Sequence, residues 1–208
     1  MTPGATDALI VVDVQYDFLP GGSLAVTGGD EIIAPINELA ALFDNVVQTQ
    51  DWHPPGHISF ASTHPGKQPF EVIQLDYGPQ VLWPDHCIIG THGAEFASAL
   101  ELPKAQAVIR KGFRPRIDSY SGFADNDHKT TTGLGGYLRE RGIRRLFLVG
   151  LATDFCVSWT AEDGAAAGFD CVVIEDATRG IDTNGSLAAA WARMNNAGVA
   201  RAKISDIV

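Results

Sequence analysis

Ala8-Leu-Ile-Val-Val-Asp13 decides the fold: five apolar residues run without a polar interruption and close on a carboxylate. A β-branched run that does not alternate reads as a strand covered on both faces, the pattern of a parallel sheet. The same pattern returns at Leu146-Phe-Leu-Val149 and Cys171-Val-Val-Ile174. Weaker versions stand at Asn45-Val-Val-Gln-Thr49, at Ala107-Val-Ile-Arg110 and from Val199 to Ile204. Candidate helices fall between them, near 31–43, 134–142, 154–167 and 185–197. Gly142 and Gly168 stand where left-handed helix caps are expected, and Pro35 has to lie in the first turn of its helix or bend it. Strands alternating with helices predict right-handed crossovers. The expected fold is therefore α/β: three αβα layers, a central mostly parallel sheet of about six strands, and one unit spanning 1–208.

Composition narrows the function classes. Of 208 residues, 45% are hydrophobic and 19% charged, so a packed core is expected. Fifteen Lys plus Arg against twenty-five Asp plus Glu give a net charge of −10, which excludes nucleic acid and an anionic membrane as partners. The opening stretch has no basic region, and the run from Ala8 to Val12 is too short for a signal or a membrane span. Cys87, Cys156 and Cys171 are an odd number with no CxxC pair, so a reducing cytoplasm is expected, with one thiol kept for reactivity. Cys171, inside a strand pattern, reads as a small buried apolar residue. The 22 glycines are scattered rather than low-complexity, and several follow strand ends.

Residues 51–103 break the strand–helix rhythm. They hold seven of the eleven prolines and little periodicity beyond a short helical pattern at 94–101. An excursion this long inside a compact unit is functional or disordered. Trp52, Phe60, Phe70, Trp83, five histidines and Cys87 favour a folded, functional segment.

In open parallel sheets, ligands bind beyond the carboxyl ends of the strands. Those ends carry Asp13, Asp51 with His53, Lys111, and the stretch Gly150-Leu-Ala-Thr-Asp-Phe-Cys156. Cys156 opens the 154–167 helix, with Thr153 or Asp154 as its expected cap. A thiol in a first turn faces unpaired N–H groups and the positive end of the dipole, which favours thiolate. Asp154 opposes that, and Lys111 can supply the cation. Asp13 can take the thiol proton and return it to a leaving amine; a structural ion pair with Lys111 is the alternative reading. Asp51 and His53, two apart in an extended segment, point to one side and can share an ion. A third ligand has to come from His57, His64, His86 or His92, and such a set suits Zn²⁺, Fe²⁺ or Mn²⁺.

Taken together, these residues resemble the nicotinamidases (pyrazinamidases) of the isochorismatase-like cysteine hydrolases. The matching stretches are Ala8 to Val26, Asp51-Trp-His-Pro-Pro-Gly-His57 onward to Ser62, Trp83-Pro-Asp-His-Cys87 onward to Phe96, Arg110 to Phe113, Tyr120 to Phe123 and Gly150 to Val157. The resemblance implies Asp13 as general base and acid, Lys111 as the thiolate-stabilising cation and Cys156 as nucleophile. It implies one divalent metal on Asp51, His53 and His86, with His57 either a further ligand or a residue beside the ligand set. It implies an oxyanion hole from the backbone N–H groups of Ala152 and Cys156, with a cis peptide before Ala152. Phe18, Leu24, Trp83 and Tyr120 match positions that line the pocket.

The activity so implied is hydrolysis of nicotinamide, and of pyrazinamide, to the acid and ammonia through a thioester, in NAD salvage. A sister amidase acting on ureidoacrylate or N-carbamoylsarcosine is the alternative, against which the metal trio argues. An iron oxygenase and a non-catalytic metal-binding protein are further readings; the strand–helix alternation speaks against the former. The implied partner is a small aromatic amide. Members of the resembled group differ in oligomeric state, which leaves homo-oligomerisation open.

Overall fold

Asp7–Val12 (β1) is buried along its whole length and forms the middle of a six-stranded sheet in the computed structural model, which describes residues 1–208. The other strands of this sheet are Asn45–Asp51 (β2), Ala105–Lys111 (β5), Arg145–Leu151 (β6), Asp170–Arg179 (β7) and Ala200–Ala202 (β8), in the order β5-β2-β1-β6-β7-β8. Every pairing among them is parallel. The chain builds outward from β1 in one direction, then returns to its other side at β6. The crevice at that reversal, beyond the carboxyl ends of β1 and β6, is where such sheets bind ligands.

The unbroken apolar run of β1 is explained by layers on both sides. Leu9 and Val11 pack with Ile36 and Leu39 of the helix Ile33–Ala41 (α1). Ala8, Ile10 and Val12 face the other way. There they meet Leu134 and Leu138 of Leu134–Glu140 (α2), Ala161 of Ser158–Ala166 (α3) and Met194 of Ser186–Asn196 (α4). Burying one such aliphatic side chain contributes roughly 1.5–3 kcal/mol, so a polar residue at any β1 position would cost a large share of the net stability. Gly142 and Gly168 take positive φ after their helices, and Pro35 sits in the first turn of α1, as expected.

Gly150 belongs at its place for a steric reason. It pairs with Val12 at φ +113°, and a Cβ there would lie 2.1 Å from the Val12 carbonyl oxygen. This close approach lets β6 leave the sheet beside the end of β1.

The excursion folds across the carboxyl edge of the sheet. Bridges His53–Ile88, Phe60–Trp83 and Gln15–Phe96 tie it down. It also contains an antiparallel hairpin, Val72–Leu75 (β3) with Gly78–Val81 (β4), which the sequence pattern did not disclose. Pro79 and a half-exposed, mixed composition hide its alternation. The helical pattern at 94–101 does not form a helix. A single 3₁₀ turn spans His92–Ala94, and the backbone N–H of Ala97 pairs instead with the Val14 carbonyl. No helix is long and apolar enough to cross a membrane.

Candidate active site and metal centre

The four strand ends converge. Asp13 follows β1 at φ +48° and is fully buried, its Oδ1 accepting a 2.6 Å hydrogen bond from Thr49 Oγ1 of β2. Its Oδ2 lies 2.8 Å from Lys111 Nζ and has no other partner. Lys111 ends β5 and is also fully buried. Its ammonium reaches Asp51 Oδ1 at 2.5 Å, the Ser119 carbonyl at 3.1 Å and Cys156 Sγ at 3.3 Å. Three ammonium protons thus face four acceptors. Burying a lone ammonium would cost several kcal/mol, and two carboxylates offset it here. Burial alone would depress the lysine, yet Asp13 and Asp51 hold its pKa well above the usual 10.5.

Cys156 sits in a π-helical turn, Thr153–Val157, entered through a cis Leu151–Ala152 peptide and continued by α3. The cap differs from expectation: Ala152 precedes the turn, and neither Thr153 nor Asp154 caps it. Asp154 instead accepts from the Ile181 and Asp182 N–H groups and from Ser186 Oγ, which turns its carboxylate toward the loop before α4. The thiolate expectation is also revised. Burial pushes the Cys156 thiol well above its usual 9.0; Lys111 pulls it down, and Asp13 and Asp51 add to the rise. Burial likewise raises Asp13 above 3.8, with Lys111 partly offsetting it, so a buried proton acceptor stands within 4.8 Å of the sulfur.

Asp51 turns its second oxygen the other way. Oδ2 lies 3.6 Å from His53 Nε2 and 3.7 Å from His86 Nε2, and the three side chains are buried. His53 Nδ1 donates to the Gly112 carbonyl at 2.9 Å, and His86 Nδ1 donates to the Pro84 carbonyl at 2.8 Å. A carbonyl only accepts, so both protons sit on Nδ1 and both Nε2 lone pairs face the Asp51 oxygen. Two imidazole nitrogens and a carboxylate oxygen converging in this way fit a divalent transition-metal ion. Gly112 cannot be replaced, because a Cβ at its φ of +68° would lie 2.4 Å from the His53 ring. Burial opposes ionisation of Asp51, but Lys111 holds its pKa well below 3.8.

His57 is close to this set without aiming into it. Its ring stacks on His53 with centroids 4.4 Å apart. Nδ1 faces Ser59 Oγ at 2.8 Å, and Nε2 donates to the carbonyls of Arg114 at 3.0 Å and Ile117 at 3.3 Å. With both nitrogens engaged, the geometry favours the place beside the ligand set. His64 bonds the Ile58 carbonyl and His92 bonds Glu95, both away from the trio.

A pocket lined by Asp51, His53 and His86 on one side and Cys156 on the other joins the two halves. Phe18, Leu24, Trp83 and Tyr120 line it, together with Phe155 and Ile181. Trp83 and Tyr120 stand edge-on to Phe155, at 4.7 and 5.5 Å between centroids. Asp118, absent from the sequence reading, also reaches the cavity, with Oδ1 4.0 Å from His53 Nε2. Gln15, two residues beyond Asp13, braces the Asp51 main chain. Its amide donates to the Asp51 carbonyl at 2.8 Å and accepts from the Asp51 N–H at 2.7 Å. Regular pairing of β1 with β2 ends at Val11–Gln48, and this side chain stands in for the missing strand.

The family of the isochorismatase domain matches residues 7–204. A nicotinamidase from Acinetobacter baylyi is 60% identical over 97% of this chain and 94% of its own. The structure of an Acinetobacter baumanii nicotinamidase/pyrazinamidase superposes with a TM-score of 0.97 at 61% identity, covering 98% of both chains. That of a Pyrococcus horikoshii pyrazinamidase in complex with zinc gives 0.78 at 36% identity, over 95% of this chain and 99% of the other.

Proposed function

The chain belongs to the isochorismatase family, and we propose that within it the protein is a metal-dependent cysteine amidohydrolase converting nicotinamide to nicotinate and ammonia. The observation that carries this reading is Lys111 Nζ. It touches Cys156 Sγ and Asp13 on one side and the metal-binding Asp51 on the other, beneath a pocket walled by Phe18, Trp83, Tyr120 and Phe155.

The resting site holds a thiol, a carboxylate and an ammonium. As the sulfur approaches the amide carbon, Asp13 Oδ2 takes the thiol proton and Lys111 stabilises the charge that develops on sulfur. The tetrahedral oxyanion is held by the backbone N–H groups of Ala152 and Cys156, a contribution of roughly 3 kcal/mol per donor in comparable sites. Asp13 then gives its proton to the leaving amine, and a thioester remains on Cys156. The same carboxylate draws a proton from water, whose attack releases nicotinate and restores the thiol. Phe18, Leu24, Trp83, Tyr120 and Phe155 confine the flat ring, so the reacting atoms are already aligned.

Asp51, His53 and His86 would hold the ion, whose identity among Zn²⁺, Fe²⁺ and Mn²⁺ the donor set leaves open. When bound, the ion supplies a Lewis-acidic anchor for the pyridine nitrogen. His57 supports His53 by stacking.

Ammonia release from nicotinamide and pyrazinamide, compared with aliphatic amides and with ureidoacrylate, tests the proposal. Turnover of the aromatic amides is expected. Preference for an aliphatic or ureido substrate would assign the site to a sister amidase.

A further inference from the structure

Gln80 is completely buried although it lies on the hairpin β3–β4, whose other residues are half-buried or exposed. A buried amide must be satisfied, and this one is satisfied by the cavity wall. Nε2 lies 2.9 Å from Tyr120 Oη, 2.8 Å from Asp118 Oδ2 and 2.7 Å from the Val81 carbonyl. Oε1 accepts from Tyr77 Oη at 3.0 Å and from Asn126 Nδ2 at 3.2 Å. Asn126 in turn accepts the Tyr120 N–H through Oδ1 at 2.9 Å. The phenol and the backbone of Tyr120 are therefore both tied to one amide pair outside the cavity.

The consequences reach the ring site. Tyr120 Oη also receives Trp83 Nε1 at 3.2 Å, so Gln80 and Trp83 fix the same phenol oxygen from two directions. Both aromatic rings meet Phe155, which adjoins Cys156 in the chain. Asp118 Oδ1 is held by the Ser119 N–H at 2.8 Å, and Gln80 holds its other oxygen. None of these contacts involves Asp13, Lys111 or Cys156.

We infer that Gln80 is a positioning residue that sets the wall of the ring-binding cavity, so that the hairpin governs how well an aromatic amide is held without taking part in its cleavage. A side chain acting only on the ring wall changes KM and leaves the thiol chemistry intact. The inference rests on the proposed nicotinamide reaction, and the parent enzyme's ammonia release tests that reaction separately.

The experiment uses Gln80→Met, which keeps the volume and removes the hydrogen bonds. KM for nicotinamide is expected to rise about tenfold or more, with kcat within about threefold of the parent. Alkylation of Cys156 by iodoacetamide, a reagent too small to need the ring wall, is expected to stay within about twofold. An unchanged KM overturns the inference. So does a joint fall of kcat and alkylation rate, which would mark a purely structural role. If Gln80→Met fails to fold, Tyr77→Phe frees Oε1 from one donor and has to raise KM in the same way; an unchanged KM there overturns it equally. Failure of the parent to hydrolyse nicotinamide would instead overturn the proposed reaction.

Discussion

Asp51 and Lys111 form the joint between the two halves of the site. One carboxylate oxygen lies 2.5 Å from the Lys111 ammonium, and the other faces the His53 and His86 nitrogens. The end of β2 and the end of β5 are adjacent and in register, Asp51 opposite Lys111, so the sheet itself sets this spacing. The same ammonium then reaches Asp13 and Cys156. Charge placed at the metal site is thereby felt at the nucleophile through a single carboxylate and a single amine.

Removing the amine leaves Asp13 and Asp51 as neighbouring buried carboxylates. Lys111→Met is expected to destabilise the fold by about 3–5 kcal/mol, the cost of breaking a buried pair by deleting one partner. Turnover should fall at least about a hundredfold. Denaturant unfolding and ammonia release measure the two effects; a variant as stable as the parent would contradict the buried-pair account.

The pH profile depends on Asp13. Burial raises its pKa above 3.8, while Lys111 and the Thr49 hydroxyl pull it down. A base must be ionised to take the thiol proton, so kcat/KM is lost as pH falls through this raised value. Thr49→Val keeps the side-chain shape and removes the 2.6 Å bond to the charged form. The acid limb is therefore expected to move to higher pH, by about one unit for a hydrogen bond to a charged group. A limb that stays in place or moves down would show that Asp13 is not the titrating base. Lys111, held well above 10.5, contributes no alkaline loss below that range.

Gln15 fixes the main chain of the residue at the joint. Gln15→Met deletes both bonds to Asp51 and is expected to weaken binding of the divalent ion about 10–100-fold. Titration of the metal-stripped protein with Zn²⁺ or Mn²⁺ measures this directly. An unaltered affinity would mean that β2 alone places Asp51.

What the sequence disclosed follows from which interactions are local. Asp13, Lys111 and Cys156 are readable because each ends an apolar strand or opens the helix after one, and the parallel sheet brings those ends together. Asp51 and His53 are readable from their two-residue spacing. His86 is separated from His53 by 32 residues and is singled out from the four candidate histidines only through family resemblance, because the bridge His53–Ile88 that delivers it belongs to tertiary structure. Asp118 and Gln80 leave no local trace, one lying on a connecting loop and the other on a hairpin masked by Pro79 and exposed neighbours. The thiolate expectation failed for a different reason. A helix start and a nearby lysine are visible in the chain, but the burial and the two carboxylates that outweigh them appear only once the strand ends meet.

Ammonia release from nicotinamide by the metal-loaded parent and by Cys156→Ala, at equal metal content, tests the central claim most directly. The account predicts one ammonia per nicotinate from the parent, and a variant that keeps its fold and metal but falls below about a hundredth of the parental rate. Turnover retained by Cys156→Ala would show that the sulfur is not the nucleophile.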